Sequence, residues 1–219
     1  MFDLWMAIIS LYLSKIRGYY RMQRFISKFY RQKVPNEIYR SSKKLNLGSS
    51  NRLLPTYINV DILAEHNPDI VCDVSKLDFA SDNEYDLVRA SHILEHFSFE
   101  EIKQVLNEWR RVLKKGGYLI VCVPNFKALA WSVILKPSAY DLSKQIYGNS
   151  PVNGIFAADL PPQFRHKVVF TYVSLTDLLN ISGFKVISRL NFLREGPFTL
   201  GIEDDSCDYC SINLVAIKL

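Results

Sequence analysis

Lys43-Lys-Leu-Asn-Leu-Gly-Ser-Ser-Asn-Arg-Leu-Leu-Pro-Thr-Tyr-Ile-Asn-Val-Asp61 is the stretch on which the rest of the chain turns. It reads as a short strand over Lys44 to Leu47, a small-residue turn of Gly48, Ser49 and Ser50, and a second strand over Tyr57 to Ile62 that carries Asp61 near its end. In open α/β sheets ligands bind outside the carboxyl ends of parallel strands, where a glycine admits close backbone approach and a later carboxylate can hold a ribose. The stretch therefore predicts a nucleoside-binding pocket. Only 12 residues, Pro55 among them, separate Gly48 from Asp61. A crossover between parallel strands normally takes a dozen or more residues and a helix, so a loop or single turn is expected where the first helix would stand.

Downstream, strands and helices alternate. Asp69-Ile-Val-Cys-Asp-Val74 reads as a third strand ending on Asp73, and Glu84 to Ser91 as a fourth. Phe99 to Lys114 places Ile102, Val105, Leu106, Trp109, Val112 and Leu113 at helical spacing. Ser98 with Glu101 three residues on is a capping box, and Lys114-Lys115 before Gly116-Gly117 suits a helix end. Tyr118 to Val123, stopped by Pro124, is an unbroken apolar run, as in a strand buried on both faces. Residues 125–165 are broken by Pro137, Gly148, Pro151, Gly154 and Pro161-Pro162, and read as a lid or substrate-covering insertion. Ser174 can cap a short helix through Ile181 that ends at Gly183. Phe184 to Phe192 and Ser211 to Lys218 then form an antiparallel hairpin around an acidic Glu203-Asp204-Asp205 turn.

With these motifs in order, the chain resembles the class I S-adenosylmethionine-dependent methyltransferases, in the branch called type 11. Five quotations carry the resemblance over about residues 43–124: Leu45-Asn-Leu-Gly48, Asn59-Val-Asp61, Cys72-Asp-Val-Ser-Lys-Leu-Asp-Phe79, Tyr85-Asp-Leu-Val-Arg-Ala-Ser-His-Ile-Leu-Glu-His-Phe97 and Val112-Leu-Lys-Lys-Gly-Gly-Tyr-Leu-Ile-Val121. It implies an α/β, Rossmann-like sheet of seven strands in the order 3-2-1-4-5-7-6, the last antiparallel, with helices on both faces. It also implies S-adenosylmethionine as cofactor. The binding positions so implied are Asn46, Gly48, Ser49, Asp61, Ile62, Asp73, Val74, Ala90 and Ser91. Asp61 would accept both ribose hydroxyls, Asp73 with the Val74 backbone would face the adenine amino group, and Ala90 and Ser91 would lie alongside the sulfonium. Ser49 and Ser50 stand where this family usually has further glycines.

Methyl transfer from a sulfonium is an in-line displacement, so the protein must align the acceptor and deprotonate it if it is a hydroxyl. Candidate bases are His92 and His96, after the fourth strand, and His166, between Arg165 and Lys167; His92 and His166 are preferred as catalytic. Leu54-Pro-x-Tyr-x-Asn-Val-Asp61 is similar to a stretch in relatives associated with cell-surface polysaccharide assembly. That points to a sugar or glycan hydroxyl as acceptor, with a small metabolite the other option. No metal is expected. Two further readings stay open: a catalytically inactive methyltransferase-like scaffold, and a nicotinamide-dependent oxidoreductase that lacks the Gly-x-Gly-x-x-Gly spacing.

The totals frame this domain. With 219 residues, 48% hydrophobic and 22% charged, the chain suits one domain with a small appendage. Of the net charge of +5, residues 1–44 hold ten Lys or Arg against Asp3 and Glu37, giving +8 and leaving −3 for the remainder. The basic character is thus local, and no nucleic-acid partner is expected. Residues 1–42 read as a separate N-terminal segment ahead of a domain over 43–219. Within that segment an apolar run over 2–13 precedes spaced Lys and Arg, which reads as an amphipathic helix. It either packs on this domain or a twin subunit, or makes peripheral contact with an anionic membrane face through residues 1–33. A monomer or homodimer is expected. Cys207 and Cys210 form a lone pair, and a zinc site needs four ligands. A reduced, cytoplasmic protein is the plain expectation.

Overall fold

Strand formation follows the apolar runs, and strand order follows from their pairing. The computed structural model describes residues 36–127, 130, 161, 164–190 and 211–219. It contains β1 (Lys44–Leu47), β2 (Ile58–Asp61), β3 (Ile70–Val71), β4 (Tyr85–Ser91), α1 (Phe99–Val112), β5 (Leu113–Pro124), α2 (Tyr172–Ile181), β6 (Phe184–Leu190) and β7 (Ser211–Lys218). They form one seven-stranded sheet in the order β3-β2-β1-β4-β5-β7-β6, as expected. β3 to β5 run parallel, and β7 is antiparallel to both β5 and β6. The expected amphipathic helix over 1–33, most of the 125–165 insertion, the Glu203-Asp204-Asp205 turn and the Cys207/Cys210 pair lie outside the described residues.

Alternation along the strands sorts the side chains to two unlike faces. Leu45 and Leu47 of β1, Val60 of β2 and Leu119, Val121 and Val123 of β5 share one core with Ile102, Val105, Leu106, Trp109 and Val112 of α1 and Leu175 and Leu179 of α2. Each such side chain stabilises the fold by roughly 1.5–3 kcal/mol. The opposite face carries a smaller cluster of Ile38, Tyr57, Leu87, Ile120, Cys122 and Val215, with Ile38 supplied by a 3-10 turn over Asn36–Arg40. Burial pushes the Tyr57 hydroxyl pKa up, and the neighbouring Arg89 charge offsets this only in part.

Between β1 and β2 no helix forms, which agrees with the short spacing. A buried polar network holds the loop instead. Arg89 Nη1 donates to Asn46 Oδ1 at 2.6 Å, and Asn46 Nδ2 donates to Asn59 Oδ1 and to the Arg52 carbonyl, each at 3.0 Å. Asn59 Oδ1 also accepts the Leu54 N–H at 2.8 Å, while the Asn59 backbone N–H and Nδ2 donate to Asp69 Oδ2. Asn46, Arg89 and Asn59 are all buried, so each bond here satisfies a group that water cannot reach.

Three boundaries differ from the sequence reading. The helix expected to reach Lys114 ends at Val112, because Leu113 already pairs with Tyr85 of β4; Gly116, at φ +75°, lies where the β4–β5 register shifts. The third strand is only Ile70–Val71, so Asp73 lies past its end in a turn closed by the Lys76 N–H on the Asp73 carbonyl. Thr171 caps α2, and Ser174 is its reciprocal partner three residues on. The Ser98–Glu101 capping box of α1 is present as read.

At the amino-terminal edge, Asp86 accepts the Ser42 and Lys43 N–H groups, the Ser42 hydroxyl and Lys114 Nζ. Burial works against its ionised form, but the bonds from Lys114, Lys43 and Ser42 outweigh it and hold the carboxyl below the ordinary range. These contacts fix where β1 starts against β4.

Candidate cofactor and acceptor site

Register brings the motifs to one edge. Leu47 stands opposite Val60 on one side and Ala90 on the other, so the turn after β1, Asp61 at the end of β2 and Ser91 at the end of β4 are neighbours. The Ser49 N–H donates to the Val60 carbonyl at 3.0 Å, tying the turn to β2. Gly48 sits at φ +64°, and a Cβ there would come within 2.9 Å of Ile93 Cδ1. The left-handed conformation favours glycine here, and a Cβ would have to displace the Ile93 side chain. Ser49 is buried, and its Oγ has no hydrogen-bond partner among the described residues.

Asp61 is held on both carboxylate oxygens. Oδ2 accepts the Ser50 N–H at 2.7 Å; Oδ1 accepts the Leu63 N–H at 2.9 Å and lies 3.2 Å from His66 Nδ1. A carboxylate oxygen offers two lone-pair sites, so Oδ1 is filled and Oδ2 keeps one site. Ile62, next in the chain, is exposed. Asp73 is exposed, with Oδ1 accepting the Ser75 N–H at 2.8 Å. Val74 is buried, its carbonyl accepting Trp109 Nε1 at 2.9 Å. Ala90 is buried and Ser91 half-buried. Asn46 lies on β1 with its side chain engaged by Arg89, Asn59 and the Arg52 carbonyl of the loop. Beside Asp73, burial and then the charges of Asp73, Asp78 and Glu108 push the Cys72 thiol up, which keeps it protonated.

After β4 the chain turns sharply. His92 has φ +53°, its N–H bonds the Cys122 carbonyl at 2.9 Å, and its Nε2 lies 3.2 Å from Ser211 Oγ of β7. Its Nδ1 is 3.2 Å from Oε1 of Glu95, a fully buried carboxylate. The Glu95 carbonyl accepts the N–H groups of Lys167 and Val168, and this draws His166 in. His166 Nε2 is 3.9 Å from Glu95 Oε1, and its ring meets that of His96 edge-on with centroids 4.9 Å apart. The three histidines weighed as bases therefore gather around one acid. The sequence reading missed Glu95, Ile93 and His66. Only the His92-Ile-Leu-Glu95-His96 run hinted at the first of them.

The edge suits S-adenosylmethionine. The Gly48 turn presents backbone at this edge, the Ser49 hydroxyl has no partner among the described residues, and Asp61 Oδ2 retains an acceptor site, which are groups of the kind such a cofactor would use.

Residues 53–121 match the family described as "Methyltransferase domain". No curated protein matches the chain in sequence. Among solved structures, it is similar to the Burkholderia thailandensis 1,6-didemethyltoxoflavin-N1-methyltransferase with bound 1,6-didemethyltoxoflavin and S-adenosylhomocysteine, at 14% identity and TM-score 0.53 over 96% of this chain and 88% of that one. Magnesium protoporphyrin IX methyltransferase of Synechocystis PCC 6803, with bound S-adenosylhomocysteine, gives 14% and 0.52 over 90% and 84%. A methyltransferase of Archaeoglobus fulgidus gives 17% and 0.51 over 95% and 98%. At such identities the structures speak for the fold, and the sequence match speaks for residues 53–121. Together they show that residues 53–121 resemble a methyltransferase domain and that the sheet has the fold of these S-adenosylhomocysteine-binding methyltransferases.

Proposed function

We propose that the chain methylates a hydroxyl oxygen of a sugar, glycan or small metabolite at the carboxyl edge of β1, β2 and β4. The observation that carries this reading is the histidine cluster after β4. A hydroxyl must lose its proton to become a competent nucleophile, and His92 and His166 stand within 4 Å of a common buried carboxylate able to stabilise the imidazolium that results. S-adenosylmethionine, when bound, supplies an electrophilic methyl group. The rest falls to the chain: Gly48, Ser49 and Asp61 hold the methionine and ribose parts, Ile62, Asp73 and Val74 border the adenine, and Ala90 and Ser91 flank the reacting centre. His92 or His166 takes the acceptor proton. A glycan acceptor is supported by the Leu54 to Asp61 stretch; peripheral membrane contact through residues 1–33, a cytoplasmic location and a monomer or homodimer complete the reading.

The test is transfer of labelled methyl from S-adenosylmethionine to sugar and small-hydroxyl acceptor panels, with Asp61→Ala as control. Incorporation that Asp61→Ala abolishes supports the reading; incorporation only into amines or carbon acids overturns the hydroxyl assignment. A non-catalytic scaffold is favoured by one observation, that Asp61 is already bonded by its own chain. Isothermal titration showing no S-adenosylmethionine or S-adenosylhomocysteine binding would establish it.

A further inference from the structure

We infer that Glu95, His96 and His166 form a binding site for a divalent first-row transition metal ion, set beside the methyl-transfer edge. Their ligand atoms all lie within 4.8 Å of one another. Ligands of one tetrahedral ion at about 2.0–2.1 Å stand about 3.4 Å apart, a distance that small side-chain rotations reach. The second observation is independent of spacing. Glu95 is 1% exposed, and neither of its carboxylate oxygens has a hydrogen bond among the described residues. His92 Nδ1, at 3.2 Å, has the distance to Oε1 without the alignment. A buried carboxylate left in that state is costly unless a cation faces it.

The surroundings are those of a metal site. His96 Nδ1 lies 3.4 Å from the Arg165 carbonyl, the type of outer partner that orients a ligating imidazole. The Glu95 carbonyl holds Lys167 and Val168, which fixes the segment delivering His166. Two imidazoles and one carboxylate suit Zn²⁺, Mn²⁺ or Co²⁺ and not the oxygen-seeking Ca²⁺ or Mg²⁺. The run His92-Ile-Leu-Glu95-His96 has the spelling of a helical zinc motif. Here His92 is in a left-handed turn, so the second imidazole comes from His166 instead.

The site's role rests on the proposed hydroxyl acceptor. The ion takes a lone pair of the acceptor oxygen and makes its proton easier to remove. That proton leaves to His92, the oxygen–carbon bond forms as the sulfur–carbon bond breaks, and the electron pair of the broken bond stays on sulfur. This replaces the expectation of a metal-free reaction.

The experiment uses the full chain, stripped with a chelator and titrated with Co²⁺ and Zn²⁺, read by elemental stoichiometry and the visible spectrum of Co²⁺. One ion per chain is expected, with affinity at least about 10-fold weaker in His96→Ala and in His166→Ala and unchanged in His66→Ala. No retained ion, or equal affinity in every variant, overturns the site. Titration of S-adenosylmethionine into the stripped wild type and both variants keeps the two proposals apart. Cofactor bound without metal removes the metal site alone, whereas metal bound without cofactor removes the methyltransferase reading and leaves the site standing.

Discussion

Asp61 and Glu95 both carry a carboxylate into the interior beside the carboxyl edge of the sheet, at 7% and 1% exposure. Around Asp61 the backbone has closed in, with the Ser50 and Leu63 N–H groups donating and His66 alongside. Around Glu95 there are imidazoles at 3.2 and 3.9 Å and, among the described residues, no backbone donor to either oxygen. The first carboxylate is finished by its own chain and keeps one acceptor site for a ligand. The second is finished only when something positive arrives. Two acids of similar burial at one edge therefore have opposite demands, and burial alone says nothing about which is the binding group.

The largest expected effect is on the Asp61 side. Asp61→Ala removes the one charge-assisted bond left open to the ribose, roughly 1.5–3 kcal/mol, so calorimetry should show S-adenosylmethionine affinity falling about 10- to 100-fold. An affinity within a few-fold of wild type would mean that the ribose does not use this carboxylate. Next is the network beneath it. Asn59→Ala strands the Leu54 N–H and takes one partner each from Asn46 Nδ2 and Asp69 Oδ2, and should cost about 2–3 kcal/mol in urea unfolding.

The comparison itself is tested by a pair of variants with opposite signs. Asp61→Asn turns an amide towards backbone donors and should destabilise by about 1–2 kcal/mol. Glu95→Gln removes a buried carboxylate that no hydrogen bond among the described residues holds, and should stabilise the metal-stripped chain by about 1–2 kcal/mol. Equal signs would end the distinction. Asp86 gives the smallest effect and a scale for both. Its carboxyl is held below the usual range, so its contribution is present above the ordinary aspartate pKa of about 3.9 and is lost as pH falls through the folded value. Asp86→Asn should cost about 1 kcal/mol near neutrality and progressively less in acid, as acid-titration denaturation curves would report.

Much of the fold was legible because it is local. The Ser98–Glu101 box, the apolar run ending at Pro124 and the loop that twelve residues force between Gly48 and Asp61 are all set by neighbours in the chain. The strand order followed from the family resemblance that the motifs carry. The misread boundaries are places where pairing decided: Leu113 joins a strand because Tyr85 is opposite, and Asp73 falls outside one because β3 is an edge of two residues. Gly48 and Asp61 were legible as neighbours at one sheet edge, because the strands that bear them place them there. The site was not legible at Glu95, since nothing in His92-Ile-Leu-Glu95-His96 says that the glutamate is buried or that His166, 70 residues further on, meets it. His66 was missed for a similar reason, as a 3-10 turn over Ala64–His66 folds it back on Asp61.

The loop between β1 and β2 also bears on the order in which the molecule assembles. Ten residues, 48–57, separate two paired strands, whereas Pro124 and Ser211, which pair at the end of β5, have 86 residues between them. Closing the shorter loop is about 2 kcal/mol less costly in chain entropy. With its contacts near in sequence, the β1–β2 pair is suited to form early and β7 to dock late. Amides of Asn59 and Val60 would then gain exchange protection before those of Leu214 and Val215, and the paired carboxyl ends of β1 and β2 would exist before the sheet is complete.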